Sequence, residues 1–438
     1  MTSMPRTPLL AASALLALCS SAAPPLPEAP LAASPELNPV LKNSEHKKVG
    51  GLIGDCIEAY VNREGRRDAE EALSTAIKKK WTKAAQGRDP LALSDDLAAS
   101  LWYSIDYKKV KGIKKGKIVD LEVPVAFFGD DYVATSAVWT PKKYDTKKKY
   151  PLVLCIPEPE EKPEAHLNDH WADGSLRDNA ILVALDMPED PALWGELGEA
   201  GNAAKAGGVG ILLATFAKVR DNYAVDFDRI FLAGRGPGVG AAMQIASLSP
   251  DRFCGIIGRT GDAADLGPDN LSNLPCYFAG GGKISSDFAE RTTGEDQAER
   301  VLEPEGKLAD VWAWMQGVSR RSIPDVVHLV PGSPFPNKAY WLEVPAKEYA
   351  EGAKISATAD RASNTITIEA TGIDSCTIYF NDGLMDLEQP VKVICNGTVN
   401  EDMIPRNFNS MMQLIYKVRS DPGRVYTAWK EYDIPATE

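Results

Sequence analysis

Four histidines and seven cysteines are a small stock of catalytic side chains for a chain of 438 residues. His166 and His170 stand four apart, beside Asp169 and Asp173. On a helix, positions i and i+4 share a face, so two imidazoles and a carboxylate there could hold a metal ion. Pro163 and Gly174 bracket this segment, however, and the simpler expectation is an exposed polar loop with no metal. No C-x-x-C or H-E-x-x-H spacing is present,. His328, between Val327 and Leu329, reads as a strand histidine, with a displaced catalytic base as the second reading. Gly236, Gly238 and Ala241 fit G-x-G-x-x-A, a dinucleotide fingerprint,. They follow a late strand, and no acidic residue obviously ends the next one, so no cofactor is expected. Asn396-Gly397-Thr398 is a glycosylation sequon, of little use behind an export signal of bacterial type.

The segment Asp228-Arg229-Ile230-Phe231-Leu232-Ala233-Gly234-Arg235-Gly236-Pro237-Gly238-Val239-Gly240 has the layout of a strand, a sharp Gly-rich turn and a helix start. It resembles the nucleophile elbow of α/β-hydrolases, in the esterase, depolymerase and carboxylesterase-like branch, whose form is G-x-S-x-G. The resemblance spans residues 117–330. Gly236 stands where the serine would be, and without a side chain no acyl intermediate can form. Aligned on the same family, Ile284 falls near the place of the triad acid, and Lys307, after Glu305-Gly306, near that of the base. The loop that would complete the oxyanion hole reads Pro157-Glu158-Pro159-Glu160-Glu161, whose carboxylates oppose a developing oxyanion. The resemblance therefore implies an α/β-hydrolase-like protein without the Ser-His-Asp triad, non-catalytic and binding a ligand or another protein. The alternative is a hydrolase of esters or related bonds using a non-standard residue set. Arg235, Gly236, Pro237, Gly238 and Lys307 are the ligand-binding candidates. The start of the helix at Gly238 offers free N–H groups to a carboxylate or phosphate, a field that Glu158, Glu160 and Glu161 could cancel.

The elements that must carry this turn are legible in part. Residues 45–107 show helical spacing, as in Val49, Ile53, Cys56 and Ile57, then Leu73, Ala76, Ile77 and Trp81,. From 108 to 345 strand and helix signals alternate, which predicts a mostly parallel sheet with helices on its faces. Strands are expected at 118–125, 132–139, 150–156, 180–185, 228–233, 253–257 and 274–279, with helices at 203–222 and 238–247. Trp312 and Met315 read as core. From 346 to 438 short, partly alternating β-branched runs predict a β-rich domain with one helix at 408–418. Cys376 and Cys395 fall in neighbouring predicted strands there. Buried thiols are the first reading and a disulfide the second.

Composition bounds the rest. With 44% hydrophobic and 25% charged residues the chain is neither disordered nor fibrous,. A net charge of -13 opposes binding to nucleic acid or an anionic membrane as a whole,. Lysine clusters at 108–117 and in the helical region read as solvated faces before a polyanion site. The apolar run Leu9–Leu18 followed by Ser20-Ser21-Ala22-Ala23 has the order of a secretory signal peptide over 1–23,. Lipidation at Cys19 is disfavoured by the bulk of Leu18. A Pro/Ala-rich linker follows over 24–44. An extracytoplasmic location, periplasmic or secreted, and a mature chain without a transmembrane span are expected.

Overall fold

The structure is a computed structural model and describes residues 38–292, 294, 296–332 and 335–436. The expected signal peptide, Cys19 and most of the expected linker lie outside the described residues. The last linker residues are pinned. The backbone N–H of Asn38 donates to Asp95 (2.9 Å), and those of Val40 and Leu41 donate to Asp96 (3.2 and 2.8 Å).

Three helices come first: α1 (Asn43–Asn62), α2 (Arg66–Ala84) and α3 (Ser94–Leu101). The central part runs β1 (Ile118–Pro124), β2 (Val133–Trp139), β3 (Tyr150–Ile156), α4 (Pro163–His170), α5 (Gly174–Asn179), β4 (Ile181–Ala184), α6 (Gly208–Asn222) and β5 (Val225–Arg235). It continues with α7 (Gly238–Leu248), β6 (Gly255–Arg259), β7 (Cys276–Ala279), α8 (Lys283–Arg291), β8 (Arg300–Glu303) and α9 (Leu308–Gly317). The eight strands form one sheet in the order β1-β2-β4-β3-β5-β6-β7-β8. Strands β3 to β8 are parallel, and β2 runs against its neighbours β1 and β4. This is an α/β-hydrolase-like, mostly parallel sheet.

The period of two places alternate residues of β3 in different cores. Leu152, Leu154 and Ile156 join the core on one face, against α6 and α7, while Val153 and Cys155 join the core on the other, against α4, α5 and α9,. Burial on both faces is why β3 reads as an unbroken apolar run,. The expected helix at 203–222 starts only at Gly208, after a 3-10 turn at Ala203–Lys205. Gly207 and Gly208 are held by space, since a Cβ on either would lie 2.3 Å from a backbone oxygen.

The β-rich part begins earlier than the expected boundary after 345. Strand β9 (Val326–Leu329), with His328, pairs with a strand of the C-terminal region and not with the central sheet. There follow β10 (Lys338–Ala339), β11 (Leu342–Glu343), β12 (Lys354–Asp360), β13 (Thr365–Thr371), β14 (Ser375–Phe380), β15 (Val391–Cys395) and β16 (Thr398–Asp402). Helix α10 (Phe408–Val418) and β17 (Ala428–Asp433) complete the chain. The sheets β10-β11-β14-β17 and β16-β15-β13-β12-β9 enclose one core. His328 faces Ser356 across β12, the position of a strand histidine.

The N-terminal helices do not stand alone. Met411, Met412 and Ile415 of α10 share a core with Ile53, Leu73, Trp81 and Leu97. Tyr60 and Tyr416 stack at 4.3 Å, and Tyr416 donates to Glu70 (2.7 Å). Helical period cannot name this partner, because it lies over 300 residues away in sequence. Arg320 seals the seam between the central sheet and the C-terminal part. Its guanidinium, fully buried, donates to Asp421 (2.6 and 2.9 Å) and Asp228 (3.0 Å).

Candidate functional site

Strand β5 ends at Arg235, and the chain turns through Gly236 and Pro237 into α7. Gly236 has φ +54°, a left-handed conformation that a side chain makes costly,. A Cβ on Gly234 would lie 2.0 Å from the Gly238 carbonyl oxygen, so strand and helix close together only because this position has no side chain. The turn is thus a strand–turn–helix with its apex at Gly236, as the motif predicts.

The apex is covered. A Cβ built on Gly236 would lie 2.9 Å from Oε1 of Glu158 and 3.1 Å from its Cγ. The other carboxylate oxygen of Glu158 pairs with Arg235 at 2.7 Å. A carboxylate from the loop after β3 therefore fills the space into which a nucleophile would project. It also supplies the negative charge that the start of α7 favours. Among the anion-binding candidates, Arg235 is engaged by Glu158, while Lys307 is exposed and has no ion pair among the described residues.

The same loop reaches a second cluster. Glu161 accepts from the backbone N–H of Glu158 (3.1 Å), meets His166 Nδ1 at 2.7 Å and meets His170 Nε2 at 3.0 Å. His166 and His170 lie on α4, a true helix, and His166 is buried. The expectation of an exposed polar loop between Pro163 and Gly174 is overturned. Pro163 opens the helix at its first turn, where its missing N–H is harmless,. The carboxylate the two imidazoles share is Glu161, not Asp169 or Asp173. Asp173 instead caps α5 by accepting from Leu176 N–H (2.9 Å). Burial pushes the Glu161 carboxyl up, but hydrogen bonds from His166 and the Glu158 amide, with the nearby imidazoles, hold it below its usual range. Burial pushes the His166 imidazole down, only partly opposed by Glu161.

Ligand atoms of Glu161, His166 and His170 lie within 4.8 Å of one another, close enough to test as a metal site. The donor set does not fit. Trp171 Nε1, which can only donate, lies 3.1 Å from His166 Nε2,. That contact keeps the His166 proton on Nδ1, the atom facing Glu161. A metal at Nδ1 would drive the proton to Nε2, against the Trp171 N–H. The cluster is a hydrogen-bonded Glu161 with two imidazoles, the second of them 24% exposed.

The other two aligned positions lie on the elements that follow β7 and β8. Strand β7 ends at Ala279, and Ile284 lies in the first turn of α8, 44% exposed. Lys307 is the N-cap of α9 after β8. The carboxylate the sequence reading missed is Asp262, after β6. A Cβ on the adjacent Gly261 would lie 2.1 Å from the Gly236 carbonyl oxygen. Asp262 accepts from the Ser285 N–H (3.4 Å) at the start of α8. Arg259, also missed, donates to the His170 carbonyl and lies over the Trp171 ring at 5.4 Å. Gly236 lies in the turn and Gly238 and Ala241 on α7, with Glu158 over the turn, which leaves the fingerprint no open phosphate cradle.

No family model matches the sequence, and no curated protein matches it. Solved structures do match parts of it. A thermostable esterase aligns with 46% of this chain and 63% of its own, just under two thirds, at 15% identity and a TM-score of 0.37. An S-formylglutathione hydrolase from Agrobacterium tumefaciens aligns with 48% of this chain and 95% of its own, at 12% identity and 0.33. A CE1 ferulic acid esterase from Anaeromyces mucronatus aligns with 46% and 90%, at 15% identity and 0.33. The fold assignment rests on the strand order and the turn at Gly236.

Proposed function

We propose that this chain is an exported α/β-hydrolase-like protein without serine-hydrolase chemistry, binding a ligand or a protein partner. One observation carries the reading: the Glu158 carboxylate, tied to Arg235, occupies the space beside Gly236 where a nucleophile would project. A glycine at the apex supplies no nucleophile. The export part rests on the apolar run Leu9–Leu18 and the small residues behind it,. N-terminal sequencing of exported material should begin near Pro24, and an intact Met1 would remove that part.

The test of the main reading is hydrolysis of short-chain aryl esters by purified wild type, with fluorophosphonate labelling beside it. No turnover above buffer and no label are expected. Turnover that Gly236→Trp abolishes would overturn the reading. A second reading, hydrolysis by a non-standard residue set, is favoured by the Glu161–His170 contact. The carboxylate holds one nitrogen of this partly buried imidazole and leaves the other ring nitrogen as a proton acceptor,. Turnover that survives Gly236→Trp and is lost in His170→Ala would select it.

A further inference from the structure

The end of the central sheet opposite the Gly236 turn carries two lysine-rich segments. The segment leading into β1 holds Lys108, Lys109, Lys111, Lys114, Lys115 and Lys117, with Asp106 as its one acid. The segment between β2 and β3 holds Lys142, Lys143, Lys147, Lys148 and Lys149, with Asp145 as its one acid. Antiparallel pairing sets Ile118 against Trp139, so the two segments emerge side by side. Lys115 Nζ donates to the Tyr144 carbonyl (2.6 Å), and a Cβ on Gly116 would lie 2.5 Å from the Lys142 side chain. All eleven lysines are exposed. The two acids are spent locally. Asp106 faces Lys109 at 3.7 Å, and Asp145 accepts from the Lys147 N–H. Among the described residues, Lys109 alone of the eleven has an ion pair.

Two cavities flank this band. One, of about 1020 Å³, has Lys47, Lys108, Lys109, Lys147 and Arg419 in its wall, offset by Asp55, Glu58, Asp106 and Asp221, so the positive field is concentrated at the other. The other, of about 560 Å³, is lined by Lys143, Lys148, Lys149, Arg229, Trp312 and Gln316 among others. Arg229 spends Nη2 on the Met315 carbonyl (3.1 Å), while its buried Nε has no hydrogen-bond partner. Lys147, Lys148 and Lys149 link the two cavities along one strand-entry segment. In a chain of net charge -13 such a band draws a polyanion to one end while the rest of the surface repels it,.

We propose that this band binds an acidic polysaccharide, a flexible chain bearing carboxylate or sulfate groups. Single-stranded nucleic acid fits less well, because it needs open aromatic faces for its bases. Here Lys149 covers Trp102, Lys47 covers Tyr103 and Lys115 covers Tyr144, and Trp312 in the second cavity is half-buried, so the band offers no row of open rings. An anionic membrane fits less well too, since neither lysine segment exposes a large apolar side chain to insert,.

The test is titration of the full chain with polygalacturonate and with dextran sulfate, against neutral dextran, over a series of salt concentrations. At least one acidic polymer should bind where dextran does not, and binding should weaken steeply as salt rises. Replacing Lys143, Lys148 and Lys149 together by Gln should weaken it on the order of tenfold or more and flatten the salt dependence. Replacing Lys78, Lys79 and Lys83 of α2 by Gln changes the net charge equally and should leave binding unchanged. No binding to either polymer at about 50 mM salt, where such contacts are strong, would overturn the proposal. So would equal loss in both triple variants, or tighter binding of single-stranded DNA or phosphatidylserine vesicles. The Gly236 turn lies at the other end of the strands, so any of these failures would leave the reading of that site untouched.

Discussion

Gly236→Ser restores the motif's serine and should leave the protein both inactive and less stable. The backbone at 236 is left-handed, which costs a residue with a Cβ about 1–2 kcal/mol,. The new Cβ would also meet Glu158 Oε1 at 2.9 Å and Cγ at 3.1 Å, so the carboxylate must swing away. Its pair with Arg235 is partly exposed, so losing it adds at most about 1 kcal/mol,. The expected total is about 1–3 kcal/mol, read from urea unfolding of the two proteins side by side. Glu158→Ala removes the obstruction in advance. In that background Gly236→Ser should retain only the backbone strain, leaving a coupling of roughly 1 kcal/mol between the two sites. The double variant should still show no ester turnover, since the imidazoles of His166 and His170 are both held on Glu161. A serine that costs nothing, or costs the same with and without Glu158, would refute the claim that Glu158 fills the nucleophile's space. Turnover by the double variant would refute the expectation that no base serves the new serine.

Further outcomes follow from other parts of the structure. Arg320→Ala leaves Asp421 and Asp228 facing each other across a buried seam, and should cost about 3–5 kcal/mol by urea unfolding, whereas a loss below ~1 kcal/mol would show the seam carries little,. Arg320 also holds the Asp421 carboxyl below its usual range against the upward push of burial, so the stability it contributes is present above the unfolded pKa and is lost as pH falls through the folded one,. His166 is held neutral by burial, and its folded pKa lies below the unfolded value of 6.5. The unfolded chain then binds the extra proton first, so Tm should drop as pH falls below about 6.5, less steeply in His166→Gln, with equal slopes counting against the buried neutral imidazole. Burial pushes the Cys56 and Cys395 thiols up to about 12 and 11. Iodoacetamide at pH 7.5 should therefore leave the six described cysteines unlabelled until urea is added, and rapid native labelling would contradict their burial,.

Local pattern settled a good deal of this protein. The alternation of apolar runs with helical spacing between 108 and 345 marked the central sheet, because burial on both faces leaves a continuous apolar signature in strands such as β3,. The Gly234-Arg235-Gly236-Pro237-Gly238 run marked the turn, because close approach and positive φ require missing side chains at fixed offsets,. The sequence alone also places a glycine at the apex of that turn, residue 236. Other features needed the folded chain. Pattern at the scale of one element could not pair α10 with the N-terminal helices, or move β9 into the C-terminal sheet, since those contacts join residues remote in sequence. It misjudged the segment of His166 and His170, because eight residues are too few for a helical period to show and the bracketing Pro163 is a helix opener there,. The charges at the turn were legible as residues but not as a site. The sequence holds Glu158, Glu161, Arg235 and the two histidines without saying which pairs with which. Only the packing of the loop after β3 against the end of β5 turns Glu158 onto Gly236 and Arg235, residues far from it in sequence, while Glu161 meets the imidazoles close by in the chain only because α4 forms and turns both toward it,.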